Sequence, residues 1–386
     1  MTYKTIFPID KFSAAKTPLY YYDMELLRKT LDTITSEVSN RPHFHVHYAI
    51  KANANPAVLR QIAANGFGAD CVSGGEIQAA LDAGFPAERI VFAGVGKSDW
   101  EISLALNAGI QCFNVESLPE LEVINELAAA SGVTANVAFR VNPDVDAHTH
   151  EKITTGRSEN KFGIAMEDLL PAIRRTESLS NVRYVGMHFH IGSQILHLEV
   201  YERLCERINE LQDSLEQSGI VTSSINVGGG LGIDYDTPDA NPIPDFHNYF
   251  ALFAKCLNLR PNQQLHFELG RSVVAQCGSL IARTLYVKKG HVKQFIIVDA
   301  GFTELIRPAM YGAVHAVQNL SAVNGNEAVY DVVGPICESS DVFARDITLP
   351  EAQRGDLIAF RSAGAYGEVM ASQYNCRKLP DSLYSE

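Results

Sequence analysis

Apolar residues along this chain fall into short runs separated by longer stretches of helical spacing. The runs at 46–50, 67–72, 89–93, 111–115, 135–141, 183–189, 223–228 and 265–268 are short and mainly apolar, as buried strands are. Between them, 56–65, 74–83, 98–107, 117–131, 166–176, 197–218 and 243–258 repeat apolar residues every three or four positions. Strand and helix alternating in this way imply parallel pairing. Eight such units in about 250 residues predict a closed (β/α)8 barrel rather than an open doubly wound sheet. No GxGxxG follows the first strand, which weighs further against a Rossmann arrangement.

The pattern differs at both ends. Residues 1–24 form a polar lead-in with a β-prone patch, Leu19 to Tyr22, and Met24 to Val38 has helical spacing. Beyond Glu268 helical periodicity is scarce. Ser272 to Val287, Phe295 to Val298, Ala328 to Val333 and Asp356 to Phe360 are β-type runs between turns. A barrel over 25–270 and a β-rich second domain over 271–386, with 1–24 as a candidate to complete it, are therefore expected. Asn142 to Lys161 and Asp234 to Pro244 lack periodicity and follow barrel strands, as active-site loops do.

Composition narrows the partners. The 386 residues are 46% hydrophobic and 20% charged, ordinary for a soluble globular protein. A net charge of −13 argues against nucleic acid and anionic membrane surfaces. Seven cysteines, odd in number and without CxxC spacing, argue against a disulfide framework or a zinc site. No apolar leader opens the sequence and no run is long enough to span a bilayer, so a reduced, cytoplasmic protein is expected.

Chemistry in such barrels sits at the C-terminal ends of the strands. Those ends here carry Lys51, Asp70, Arg140, His190, Gly228-Gly229-Gly230 and Glu268. Lys51 closes the run Val46 to Ile50; partial desolvation there favours its neutral, nucleophilic amine. Taken alone it reads as a lysine snorkelling to the surface. The glycines after Val227 let successive N–H groups converge on an anion, at the barrel position that commonly holds phosphate. His188 and His190 are two apart, but no further ligand has matching spacing, so a metal site is not expected. An imidazole stacked on an aromatic cofactor fits His190 better, with Ser193 donating to a phosphate. Glu268 and Arg271 are either a structural ion pair or a carboxylate for a pyridine nitrogen and a guanidinium for an anion. Together these residues suggest pyridoxal 5′-phosphate, with Lys51 as its covalent anchor and Glu268 keeping the ring protonated.

The motifs that carry a resemblance are YAIKAN at 48–53, GADCVSGGE at 68–76, HFHIGSQ at 188–194, GGGLG at 228–232 and ELGR at 268–271. They continue with DAGFTELIRPAMYGAVH at 299–315, GPICESSD at 334–341 and GAYG at 364–367. Across nearly its whole length the chain resembles the fold-type III pyridoxal-phosphate enzymes, an alanine-racemase-like barrel followed by a β domain. Within them it is similar to the diaminopimelate decarboxylase family.

The barrel motifs are shared with ornithine and arginine decarboxylases, so decarboxylation of another basic amino acid or a carboxylated polyamine is the alternative; a non-catalytic relative should have lost Lys51 or Cys337. The discriminating pieces are Arg307-Pro308-Ala309-Met310-Tyr311 and Cys337-Glu338. The resemblance implies that Arg307 and Tyr311 bind the far carboxylate of diaminopimelate, which a bidentate arginine suits. It also implies that Arg271 and Tyr366 contact cofactor and substrate, that Gly270 belongs to the cofactor site, and that Glu338 binds the distal ammonium. Cys337 would protonate the carbanion after CO2 leaves, from the second subunit of an obligate homodimer. By itself, a cysteine in an apolar run is more often inert core. The implied reaction is loss of CO2 from meso-2,6-diaminopimelate to give L-lysine, in lysine biosynthesis. Leu269 stands where the family usually has proline, a position of backbone geometry more than chemistry. Cys71, Cys112, Cys256 and Cys277 are assigned to packing.

Overall fold

The computed structural model describes residues 7–145, 161–322 and 325–386. The segment expected as a loop over 142–161 therefore lies outside the described residues, apart from its two ends. The chain divides into two compact units: Leu31–Gly232 with Asp245–Gly270, and the remainder, into which Ile233–Pro244 falls.

The N-terminal patch is strand β1 (Leu19–Tyr22). The first unit then winds through β2 (Phe44–Ala49), β3 (Gly68–Cys71), β4 (Ile90–Phe92), β5 (Cys112–Val115), β6 (Ala135–Arg140), β7 (Val182–His188), β8 (Ser224–Asn226) and β9 (Gln264–Leu269). These eight strands form a closed parallel barrel, as the alternation predicts. Closure is the pairing of β2 with β9, Phe44 opposite Leu265 through Tyr48 opposite Leu269. Strands β3, β4 and β5 are buried along their full lengths.

The helices begin where side chains take up their free N–H groups. Asn55 accepts from Ala57 N at 3.0 Å with Pro56 in the first turn; Ser73 accepts from Glu76 N at 3.2 Å and Asp245 from Asn248 N at 3.0 Å. Gly84 and Gly109 end two helices in the left-handed region.

The second unit is an eight-stranded sheet of β10 (Gly278–Lys289), β11 (Gln294–Val298), β12 (Val317–Asn319), β13 (Glu327–Val333), β14 (Val342–Pro350), β15 (Leu357–Phe360) and β16 (Asp381–Tyr384), with β1. β1 does join it, antiparallel to β10 and parallel to β16. Phe12, Leu19, Tyr21, Ile281, Leu357 and Ala359 form one core cluster there.

Several elements differ from expectation. Arg271–Val274 is a helical turn rather than the start of a strand. Pairing begins only at Gly278, where backbone approaches so closely that a Cβ would lie 2.3 Å from the α-carbon of Gly364. Lys51 is not on β2, which ends at Ala49; it sits in a single 3-10 turn, Ile50–Ala52. Strand β14 escapes a search for apolar runs because it alternates, with Phe343 and Leu349 buried and Arg345 and Asp346 exposed. β12 and β16 are too short to stand out.

Candidate active site

In the barrel, four strands converge on one carboxylate. Glu268, near the end of β9, is buried. Its Oε1 accepts from Asn226 Nδ2 of β8 at 2.7 Å and from Asn114 Nδ2 of β5 at 3.3 Å. Its Oε2 lies 2.9 Å from His188 Nε2 of β7. Burial alone would push the carboxyl up, but His188, with Lys51 and His190, outweighs it and holds Glu268 well below the usual carboxylate range. The result is a fixed anion in a low-dielectric interior. A carboxylate offers about four lone-pair sites, and these three contacts leave it acceptor capacity.

Lys51 projects a partly exposed amine 3.5 Å from Asp70 Oδ2 on β3. Asp70 is buried; desolvation, with Glu268 second, pushes its carboxyl up to about 6 against the opposing pull of Lys51. Asp70 Oδ1 and His188 Nδ1 are buried without a hydrogen-bond partner among the described residues. Arg140, at the end of β6, donates to Glu116 at 3.0 Å and packs 4.5 Å over the Phe162 ring. Glu116 also accepts from the N–H groups of Gly94 at 3.1 Å and Gly163 at 2.8 Å, tying three loops to one buried side chain.

The glycine run is required sterically. A Cβ at Gly228 would lie 2.3 Å from the Phe189 carbonyl, at Gly229 1.9 Å from the Glu268 carbonyl, and at Gly230 2.6 Å from the Gly192 carbonyl. Gly228 and Gly230 also have φ of 68° and 102°. Gly228 N donates to Asn226 Oδ1 at 2.9 Å and Gly229 N to His190 Nδ1 at 3.4 Å. That acceptor nitrogen marks His190 as neutral. Desolvation, with Lys51 and Arg140 nearby, holds its imidazole well below its ordinary value. β7 ends at His188, so the pleat does not set the direction of His190. Ser193 is half-buried in the turn that follows, and Gly270 is buried directly after β9.

The second unit gathers cations instead. Arg271 and Arg307 are both buried. Arg271 Nη1 donates to the Tyr235 hydroxyl at 2.6 Å, and its guanidinium carbon lies 4.9 Å from the centre of the Tyr366 ring. Arg307 donates to His315 Nε2 at 2.9 Å and stands 4.8 Å over the face of Tyr235. Tyr366 adopts a left-handed φ of 57°. Tyr311 closes the same short helix as Arg307, Arg307–Tyr311, and is half-buried. Cys337 and Glu338 are exposed and form a separate group: Cys337 N donates to Asn375 Oδ1 at 3.4 Å, and Glu338 accepts from the Tyr374 hydroxyl at 2.9 Å.

Sequence reasoning missed Asn114, Glu116, His188's role, Asn226, Tyr235 and His315. The asparagines left one usable signal, a polar residue inside an otherwise apolar strand. Tyr235 left none.

A lysine just past β2, a buried carboxylate and a glycine cradle suit a pyridoxal-binding barrel of the decarboxylase type. The family model described as the pyridoxal-binding domain of pyridoxal-dependent decarboxylases matches residues 26–275. The chain is 62% identical over 383 residues to a diaminopimelate decarboxylase of Bacteroides thetaiotaomicron, covering 99% of each chain. It is 44% identical over 364 residues to one from Neisseria meningitidis, covering 94% of this chain and 87% of that one. The crystal structure of Helicobacter pylori diaminopimelate decarboxylase complexed with L-lysine superposes with a TM-score of 0.92 at 40% identity, covering 98% of this chain and 94% of the other. The chain belongs to the diaminopimelate decarboxylase branch of the pyridoxal-dependent decarboxylases. The residues present fit pyridoxal phosphate: a backbone cradle with no room for a Cβ, an anionic carboxylate with acceptor capacity, and buried polar atoms that still lack a partner.

Proposed function

We propose that the protein is a lyase that removes as CO2 the carboxylate on the D-configured carbon of meso-2,6-diaminopimelate and releases L-lysine. Full-length similarity to diaminopimelate decarboxylases supports this. The observation that carries it for this chain is Arg307: a buried guanidinium held by a neutral imidazole suits a substrate whose tail ends in a carboxylate, not only an amine.

Pyridoxal phosphate, when bound, supplies an electron sink for the charge that CO2 leaves behind. Lys51 would anchor the cofactor through Nζ, with Asp70 beside it. Gly228, Gly229, Gly230 and Gly270, with Ser193, would receive the phosphate, and Arg140 and Tyr366 would help hold the cofactor. His190, neutral, would support the ring. Glu268 would keep a proton on the pyridine nitrogen, its anion held by Asn226, Asn114 and His188. Arg271 takes a substrate carboxylate, while Arg307, Tyr311 and Tyr366 grip the end that does not react.

Cys337 delivers a proton to the α-carbon, and Glu338 meets the distal ammonium. Both come from a second copy of the chain in a cytoplasmic homodimer, which their exposure allows. Among the described residues, no helix is long and apolar enough to cross a membrane.

The test is CO2 release and product identity with the holoenzyme on meso-, LL- and DD-diaminopimelate and on lysine, ornithine and arginine. Release from the meso isomer with L-lysine as product is expected. Preference for an amine-tailed amino acid would overturn the proposal.

A further inference from the structure

We propose that His315 and Tyr235 are positioning residues that set the direction of Arg307, and thereby the preference for a substrate with a carboxylate tail. The proposal rests on the assignment of Arg307 to that carboxylate. Both act through the guanidinium they hold.

The orientation of His315 is fixed from both sides. Its Nδ1 lies 2.8 Å from the Arg361 carbonyl, which can only accept, so Nδ1 carries the proton. Nε2 is then a lone pair, and it accepts from Arg307 Nη1 at 2.9 Å. Burial, with Arg307 second, pushes the imidazole down to about 3, so this tautomer persists through the physiological range. The Arg361 carbonyl is itself well placed. The Arg361 side chain is buried and grips Asp239 through two contacts, Nη2 to Oδ1 at 2.8 Å and Nη1 to Oδ2 at 3.3 Å. Asp239 and Tyr235 belong to one segment, Ile233–Pro244. That segment therefore anchors the histidine indirectly and supplies the ring on which Arg307 lies.

Tyr235 acts in two ways. Its hydroxyl accepts from Arg271, and its ring face supports Arg307 at 4.8 Å. Its ring meets the His315 ring edge to face, with centroids 5.3 Å apart and an interplanar angle of 81°. Both guanidiniums thus lie against one tyrosine, whose negative π face attracts the cation resting on it. Arg307 has five N–H donors in a rigid fork. Directing one to His315 and resting the plane on Tyr235 leaves the fork in one orientation for a bidentate carboxylate.

The experiment uses the holoenzyme, with steady-state kinetics on meso-diaminopimelate for His315→Leu, His315→Gln, Arg307→Ala and the double variant His315→Leu/Arg307→Ala. Gln keeps an acceptor for the guanidinium; Leu does not. His315→Leu should raise KM about tenfold, as for losing one hydrogen bond to a charged group, with kcat changed less than about threefold. His315→Gln should recover most of the loss. In the Arg307→Ala background His315→Leu should add little, because the two residues act as one unit.

A fall in kcat as large as the rise in KM, additive losses in the double variant, or a Gln variant no better than Leu would each overturn the positioning role. Visible absorbance of bound cofactor must match wild type in every variant, which separates misfolding from loss of positioning. If Arg307→Ala itself leaves diaminopimelate use unchanged, the assignment of Arg307 has failed rather than that of His315.

Discussion

The two units solve opposite electrostatic problems with the same device. The barrel buries an anion, Glu268, and surrounds it with side chains from three other strands, Asn114, His188 and Asn226. The second unit buries two cations, Arg271 and Arg307, against Tyr235, Tyr366 and His315. Among the described residues, Arg307 has no carboxylate partner of its own. Burying a charge without full neutralisation is destabilising, and a ligand of the opposite sign offsets that cost when it arrives. Under the proposed function, Glu268 in the barrel would meet a protonated ring nitrogen and Arg307 in the second unit a carboxylate.

Four substitutions test that division, in order of expected effect. Lys51→Ala should abolish both CO2 release and the visible absorbance of bound cofactor; persistence of either would remove Lys51 from the barrel's chemistry. Gly229→Ala would drive a Cβ to 1.9 Å from the Glu268 carbonyl. The backbone of the cradle must then shift, at a cost of about 1–3 kcal/mol or more, and cofactor retention measured by absorbance after gel filtration should fall. Unchanged retention would mean that the glycines serve packing alone.

Asp70→Asn tests the cost of the barrel's charges. The folded value of Asp70, about 6, lies above its unfolded value of 3.8. The folded state therefore keeps the proton longer, so this group's stabilising contribution is complete below about pH 4 and is lost as pH rises through about 6. Asn cannot ionise. Cofactor-free Asp70→Asn should therefore be more stable than wild type at about pH 7, by up to about 3 kcal/mol, and should lose the advantage near about pH 3.5. Urea denaturation at the two pH values reads this directly, and a variant less stable than wild type at neutral pH would refute the cost.

Arg307→Ala should weaken diaminopimelate use by about 2 kcal/mol in kcat/KM while leaving cofactor absorbance intact. A simultaneous loss of absorbance would show that the two units do not divide the labour as described.

Much of the barrel was legible in the chain because its signals are local. Asn55 before Pro56, Ser73 before Gly74-Gly75-Glu76, and the triple glycine each dictate backbone geometry within a few residues. Glu268, Lys51 and Arg307 could be singled out as polar residues at the ends of apolar runs or within a recognisable motif. Their partners could not. Asn114 meets Glu268 across 154 positions, and Tyr235 reaches Arg271 from a segment with no periodicity at all. The exchange of strand for helix at Arg271–Val274 was equally hidden, because Ser-Val-Val suits either conformation and the tight approach of Gly278 to Gly364 decides where pairing begins.

The amino-acid sequence by itself settled the alternation of strand and helix, the turns that need glycine, and which charged groups stand near the ends of the barrel strands. Those depend on hydrophobic periodicity and on backbone sterics, which act over a handful of residues. Only the tertiary structure decided which neutral groups face each buried charge, that His315 carries its proton on Nδ1, and how far Asp70 is pushed from its ordinary value. Desolvation and hydrogen-bond direction depend on atoms brought together from distant parts of the chain, and no local pattern encodes them.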